Sequence, residues 1–159
     1  MGQSSGPDQS QKNHREGGGP LGQEKPLGVH CILELFGCPS ELLDDLNFIE
    51  RAIEEGSKAA RSSLIHITSH KFSPQGVTAV GLLAESHLSV HTWPERNYAA
   101  VDIFTCGERT QPEHACELLV QLFQPKQYSL LVLSRGWQGE SPRIEKHRVE
   151  EAELCPVRG

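Results

Sequence analysis

Residues 85–95 read ESHLSVHTWPE, a stretch that combines a strand pattern with reactive side chains. Its alternation predicts a β-strand with His87, Ser89 and His91 on one face, because successive strand residues point to opposite faces. The strand is expected to end near Pro94, since proline has no backbone N–H to donate to a sheet. A serine that directly follows a glutamate therefore opens a strand that carries two imidazoles.

The sequence around this strand predicts five further strands and two helices. Apolar residues at helical spacing predict helices over 40–56 and 113–123, with Ser40 as an N-cap and Gly56 as an interruption or C-cap. The other strands are predicted at 30–36, 63–72, 77–83, 98–104 and 128–133. The order β-α-β-β-β-β-α-β predicts an α+β fold, a two-layer sandwich of one mostly antiparallel sheet with two helices on one face. We expect the other face to be open to a substrate or a second subunit.

One folded domain, residues 29–137, is predicted between two polar segments. Residues 1–28 are rich in Gly, Gln, Ser and Pro and contain almost no apolar side chains, so a disordered N-terminal tail is expected. Residues 138–159 are polar and charged and show no pattern of a core-facing element, which predicts a polar C-terminal tail.

The bulk composition narrows the class of protein. A formal net charge of -6 argues against nucleic acid as a partner, because phosphate binding needs a basic face. No apolar run is long enough to span a bilayer, and the N-terminus lacks the apolar core of a secretory signal. The five cysteines show no CxxC spacing, which favours reduced thiols. We therefore expect a cytoplasmic protein that binds neither nucleic acid nor membrane.

The residue types near position 86 can make a carbonyl cofactor from the chain itself. In a tight turn the hydroxyl of Ser86 can attack the carbonyl carbon of Glu85 and move the acyl group from nitrogen to oxygen. A neutral imidazole such as His91 can then remove the α-proton of residue 86, and elimination and hydrolysis leave a pyruvoyl group. The thiol of Cys106 could protonate a carbanion during turnover. Taken singly, these residues are more often an ordinary turn serine, a structural histidine and a buried thiol.

The histidines also allow a different class of function. His66 and His70 share a face of one predicted strand, and His87 and His91 share a face of another. Four imidazoles on adjacent strands could bind zinc or a similar ion. A non-catalytic, His-rich metal- or ligand-binding domain therefore remains an alternative, although our main interpretation contains no metal.

Four segments together resemble one known family. They are ELFGC at 34–38, HKFSPQGV at 70–77, AESHLSVHTWPE at 84–95 and YAAVDIFTCG at 98–107. Over Val29 to Arg135 the sequence is similar to the short prokaryotic S-adenosylmethionine decarboxylase proenzymes. The resemblance implies a self-cleaving, pyruvoyl-dependent decarboxylase whose product is the aminopropyl donor for spermidine biosynthesis. It also implies that two αβ pairs associate as a dimer.

The resemblance implies a role for each matching residue at the cleavage site. Ser86 corresponds to the serine that becomes the pyruvoyl group, and Glu85 to the new C-terminus after cleavage. His91 corresponds to the proton acceptor in self-processing, and Cys106 to the proton donor in catalysis. Thr78 corresponds to the position at which the family has a hydroxyl side chain that supports processing.

The resemblance also implies how the substrate is held. Phe72 corresponds to an aromatic residue that stacks on adenine, and Glu95 to a carboxylate that binds the ribose hydroxyls. Arg96-Asn97 departs from the family pattern, and Arg96 could form an ion pair with Glu95. Asn97 should tolerate the positive φ of the turn. Because related pyruvoyl enzymes decarboxylate arginine or ornithine, these two substrates are the alternative within the same chemistry.

Overall fold

The computed structural model describes residues 25–137 and 141–151, which contain seven strands, three α-helices and a short 3-10 turn. The strands are β1 Gly28–Phe36, β2 Leu64–Lys71, β3 Val77–Leu83, β4 Ser86–Trp93, β5 Tyr98–Cys106, β6 Gln127–Arg135 and β7 Arg143–Glu151. The helices are α1 Ser40–Leu43, α2 Leu46–Ala59 and α3 Pro112–Phe123, and the 3-10 turn is Pro94–Arg96. The strands form one antiparallel sheet in the order β2-β3-β4-β5-β1-β6-β7. The predicted α+β, two-layer fold is confirmed.

One face of the sheet packs under α2 and α3 and forms the core. Along β5 the side chains of Ala99, Val101 and Ile103 are buried, while the residues between them are partly exposed. This alternation follows from the two-residue period of a strand. The opposite side of the sheet, here called the open face, carries the intervening side chains and has no helix over it in the described part of the chain.

The first predicted helix is divided into two. α1 ends at Leu43 and α2 begins at Leu46, so the prediction of Ser40 as the N-cap of one long helix is wrong. Instead, the Asp45 carboxylate caps α2 by accepting the N–H groups of Asn47 and Phe48 at 2.9 and 3.1 Å. Gly56 is a buried residue inside α2 and does not end it.

A seventh strand, β7, was not predicted. It lies within the segment expected to be a polar tail, at the edge of the sheet beside β6. Its alternating charged residues contribute little to the core, which is why apolar periodicity did not reveal it. Lys146 instead forms an ion pair with Glu113 of α3, and Arg148 one with Glu150.

Parts of the predicted termini lie outside the described residues. These are 1–24 of the expected N-terminal tail, and 138–140 and 152–159 of the expected C-terminal tail. In the described ranges, the structure contains no helix that is both long and apolar enough to cross a membrane.

Candidate active site

The bond between residues 85 and 86 lies where the short β3–β4 turn meets β4. The Ser86 hydroxyl oxygen is 3.1 Å from Nδ1 of the His87 imidazole. The carbonyl oxygen of Glu85 accepts the backbone N–H of Cys106 at 3.1 Å, and the Glu85 carboxylate accepts the N–H of Ser63 at 2.9 Å. The peptide bond therefore has a hydroxyl beside it and a donor on its carbonyl oxygen, where negative charge would develop during attack.

Cys106 lies beside this bond at the end of β5. Ser86 is the register partner of Thr105, so the next residue of β5, Cys106, comes close to the turn. On its other side Cys106 faces Gly28 of β1, where a Cβ would lie 3.1 Å from the sulfur and 2.6 Å from the Thr105 carbonyl oxygen. The half-buried thiol thus has room at this end of the open face because residue 28 has no side chain.

A polar and aromatic cluster next to Cys106 was missed by the sequence analysis. Phe104 is the register partner of His87, with 6.3 Å between ring centroids, and the Arg135 guanidinium lies 4.4 Å from its centroid. His30 contacts Phe104 and places Nε2 3.1 Å from an Asp102 carboxylate oxygen. The sequence did contain a signal for this cluster. Side chains alternate along a strand, so residues 102 and 104 must share the face of Cys106.

The charge state of His30 follows from its burial. Burial lowers the pKa of the His30 imidazole below its ordinary value, and the nearby Arg135 cation acts in the same direction. The hydrogen bond that the Asp102 carboxylate accepts from the His30 ring raises this pKa without cancelling the shift. His30 is therefore held mainly neutral between a cation and a carboxylate.

The remaining predicted site residues lie together at the other end of the open face. Nδ1 of His91 is 2.9 Å from the Thr78 hydroxyl, and the two residues are register partners in β4 and β3. Glu95 accepts a hydrogen bond from the Gln75 side chain at 3.3 Å. Phe72 directly follows β2, and its side chain is 49% exposed. Its ring packs edge-on against the His70 ring, with 4.7 Å between the ring centroids. An exposed ring and a carboxylate thus flank the His91–Thr78 pair.

Within one chain the two groups do not meet. Ser86 and His91 are five residues apart on the same strand, which corresponds to about 17 Å at about 3.4 Å per residue. We call Glu85, Ser86 and Cys106 the cleavage end, and Phe72, Thr78, His91 and Glu95 the His91 end. The sequence motif is continuous, but the extended strand separates its functional parts.

The four histidines of the metal alternative do not form a site. β3 lies between β2 and β4, so the pair His66 and His70 is one strand removed from the pair His87 and His91. No group of three or more His, Cys, Asp or Glu suitable for a metal is found within residues 25–137 and 141–151.

The Arg96-Asn97 departure is accommodated by the backbone. Asn97 has φ 50°, and its side-chain amide donates to the Cys38 carbonyl oxygen at 2.9 Å, so the expected tolerance of the turn is confirmed. The expected ion pair between Arg96 and Glu95 is not formed in the described structure. Glu95 instead accepts a hydrogen bond from the Gln75 side chain.

A cavity of about 460 Å³ lies on the helix-covered side of the sheet, between α3, β6 and β7. Its lining includes Glu113, Cys116, Tyr128 and Glu150. None of the predicted site residues lines it. This cavity is therefore separate from the candidate active site.

Comparisons with known proteins agree on one family. Residues 29–136 match the family model described as S-adenosylmethionine decarboxylase. Over 109 residues, 69% of this chain and 89% of the relative, the sequence is 56% identical to an S-adenosylmethionine decarboxylase proenzyme of Prochlorococcus marinus (strain MIT 9211). A proenzyme of the same name from Methanococcus maripaludis (strain S2) is 48% identical over 112 residues, 70% of this chain and 92% of the relative.

A solved structure supports the same assignment. The crystal structure of the adenosylmethionine decarboxylase from Aquifex aeolicus VF5 superimposes with a TM-score of 0.67 at 35% sequence identity. The superposition covers 75% of this chain and 99% of that one. On sequence and fold together, the chain belongs to the S-adenosylmethionine decarboxylase family.

Proposed function

We propose that the chain is the proenzyme of a pyruvoyl-dependent decarboxylase of S-adenosylmethionine, which supplies the aminopropyl donor for spermidine biosynthesis. Family membership supports the reaction class. The observation that carries the proposal is the arrangement at the cleavage end. There the Ser86 hydroxyl meets an imidazole, and the carbonyl oxygen of Glu85 accepts a backbone N–H.

Self-processing uses only groups of the chain and water. The Ser86 oxygen attacks the carbonyl carbon of Glu85, the N–H of Cys106 stabilises the oxyanion, and the acyl group moves from nitrogen to oxygen. His91 then removes the α-proton of residue 86, and the main-chain carboxylate of Glu85, which is now the C-terminus of the first fragment, leaves from the β-carbon. Hydrolysis of the resulting enamine releases ammonia and gives the pyruvoyl group.

The residues present fit that group and its chemistry. A pyruvoyl group supplies an electron sink for the electron pair released with CO2. The Cys106 thiol, adjacent to position 86, donates the proton that the substrate α-carbon then needs. Gly28 keeps the space beside that sulfur free.

The His91 end suits a nucleoside substrate. The exposed Phe72 ring can stack on adenine, and the Glu95 carboxylate can accept both ribose hydroxyls. Arginine and ornithine offer neither a planar base nor a diol. A site built around hydrogen-bonded hydroxyls discriminates against ligands that lack them, because its polar group is left unpaired.

A second copy of the chain completes the site. A two-fold axis through the open face would place the His91 end of one copy against the cleavage end of the other, which the distance of about 17 Å prevents within one chain. Large apolar side chains support contact on this face, since Leu82, Trp93 and Val149 are 51%, 38% and 56% exposed. We therefore propose a dimer of αβ pairs in which each active site takes residues from both copies.

Self-cleavage is tested on a denaturing gel with mass spectrometry. Freshly purified protein should separate into residues 1–85 and a fragment that begins at residue 86 with a blocked N-terminus. Ser86→Ala should remain one chain, because no hydroxyl is present to attack. Cleavage of the Ser86→Ala protein at this bond would refute the proposed chemistry.

Substrate choice is tested by release of labelled CO2 from S-adenosylmethionine, arginine and ornithine side by side. We expect release from S-adenosylmethionine and little from the other two. Glu95→Gln should raise KM for S-adenosylmethionine more than it slows self-cleavage. Faster release from either basic amino acid would overturn the substrate assignment and leave the pyruvoyl chemistry standing.

A further inference from the structure

We propose that His87 is the general base that starts self-cleavage by taking the proton of the Ser86 hydroxyl. This inference rests on the proposed function, in which Ser86 attacks the carbonyl of Glu85. It assigns the two proton transfers of processing to two imidazoles. His87 serves the acyl shift, and His91 serves the later elimination.

Distance favours His87 for the first transfer. Its Nδ1 lies 3.1 Å from the Ser86 oxygen, within the reach a general base needs. His91 of the same chain is about 17 Å along the strand. Its Nδ1 is already paired with the Thr78 hydroxyl. Ser86 thus has a base on the adjacent residue, His87, whichever chain supplies His91.

The surroundings of His87 fix its ring. The imidazole packs edge-on against Phe104, its register partner on β5. Phe104 is held in turn by the Arg135 guanidinium at 4.4 Å and by the His30 ring at 5.7 Å. This stack restricts rotation of the His87 side chain and keeps Nδ1 directed at the hydroxyl.

The proton path balances within the chain. With its proton on Nε2, His87 accepts the hydroxyl proton at Nδ1 as the Ser86 oxygen bonds to the carbonyl carbon of Glu85. The carbonyl electrons move onto the oxygen that Cys106 N–H already contacts. When the carbon–nitrogen bond breaks, the departing amine nitrogen of residue 86 takes the proton back from His87. The products are an ester, a free amine and a neutral imidazole.

The roles of His87 and His91 can be distinguished by the species, ester or amide, that accumulates when each imidazole is removed. A chain that lacks His91 should pass the acyl shift and stop at the ester, which hydroxylamine cleaves. A chain that also lacks His87 should stop one step earlier, at the amide, which resists hydroxylamine under the same conditions. Ester formation in the His91→Ala background therefore isolates the step assigned to His87.

The experiment compares His91→Ala with His87→Ala/His91→Ala and His87→Asn/His91→Ala. Asparagine can accept a hydrogen bond near the position of Nδ1 but is not a base. We expect hydroxylamine cleavage at residue 85 to slow by roughly 10²-fold in both double variants, the usual effect of losing a general base. His66→Ala/His91→Ala, which removes an exposed imidazole two strands away, should match His91→Ala. Far-UV circular dichroism checks that each variant folds.

The outcomes distinguish this inference from the proposed function. Ester formation at the His91→Ala rate in the His87→Asn double variant would overturn the role of His87, even if the alanine variant failed to fold. Cleavage of the wild-type protein with a blocked residue 86, together with an intact Ser86→Ala chain, would still support the pyruvoyl mechanism in that case. A wild-type chain that is never cut between residues 85 and 86 would refute both the proposed function and the role of His87.

Discussion

Single hydroxyl groups connect the strands of the site to the rest of the fold. The Thr78 hydroxyl contacts His91 on the open face, whereas Thr92, the next residue of β4, points toward the helices and is buried. The Thr92 oxygen accepts the N–H of Val77 at 2.8 Å and donates to the Leu43 carbonyl at 2.7 Å. This one side chain therefore links β4, β3 and α1 directly behind His91.

Replacing Thr92 by the nearly isosteric valine should reduce the free energy of unfolding by about 1–3 kcal/mol, because buried polar groups lose their partners. Urea unfolding in the Ser86→Ala background, where the chain is expected to stay intact, measures this loss. Thr68→Val on the exposed face of β2 is the matched control and should stay within about 0.5 kcal/mol of the parent. Equal stability of the two valine variants would mean that the Thr92 hydrogen bonds contribute no net stability.

At the scale of elements, the distance between α2 and the sheet depends on a residue without a side chain. Gly81 of β3 is buried, and a Cβ there would lie 2.6 Å from Cγ2 of Ile53 and 3.2 Å from Cδ1 of Leu64. Ile53 is itself fully buried, and its branched side chain has little rotameric freedom. The helix can approach β3 this closely only because position 81 is glycine.

Gly81→Ala should destabilise the fold by about 1–3 kcal/mol through overpacking. Ile53→Leu removes the methyl group that the new Cβ would meet, so the double variant should lose less stability than the sum of the two single variants. The Ser86→Ala background and urea unfolding again provide the measurement. Strict additivity would show that the contact with Ile53 is not the cause.

At the scale of the whole molecule, the cleavage end and the His91 end do not meet within one chain. The cleavage end lies where β4 begins, and the His91 end lies where β4 ends and β2 meets β3. In the proposed two-fold dimer each complete site would take its serine from one chain and its histidine from the other. Loss of either residue from both chains would then remove both sites, whereas a dimer of one chain without Ser86 and one chain without His91 would keep one site.

This arrangement predicts complementation between two inactive chains. Co-expressed Ser86→Ala and His91→Ala chains, carrying tags of different size, should process the His91→Ala chain only, because its serine meets an intact His91 of the partner. Replacing the first chain by Ser86→Ala/His91→Ala should abolish that cleavage. A confirmed mixed dimer without cleavage of the His91→Ala chain would place the complete site within one chain. A gel that resolves the tags, run without hydroxylamine, gives the answer.

The sequence alone predicted strands β1 to β6 and helix α3 and named the candidate reactive residues. The period of two in residues 87–92 and 98–104, and the helical spacing in 113–123, specify structures that local sterics and burial dictate. The motif around Ser86 identified the family, since its length makes a chance match improbable. The tertiary structure was needed for features that depend on distant partners. Asp45 caps α2 only because the chain turns there, and the charged strand β7 is stabilised by pairing with β6.

Only the tertiary structure decided which reactive residues meet. Sequence spacing put Ser86 and His91 in one motif, but an extended strand moves them apart by about 3.4 Å for each residue. The order of strands put β3 between the two histidine pairs. Register placed His87 beside Phe104 and Cys106 beside Gly28. Such neighbours are fixed by hydrogen-bonded pairing between segments far apart in the chain, and a linear pattern does not contain that information.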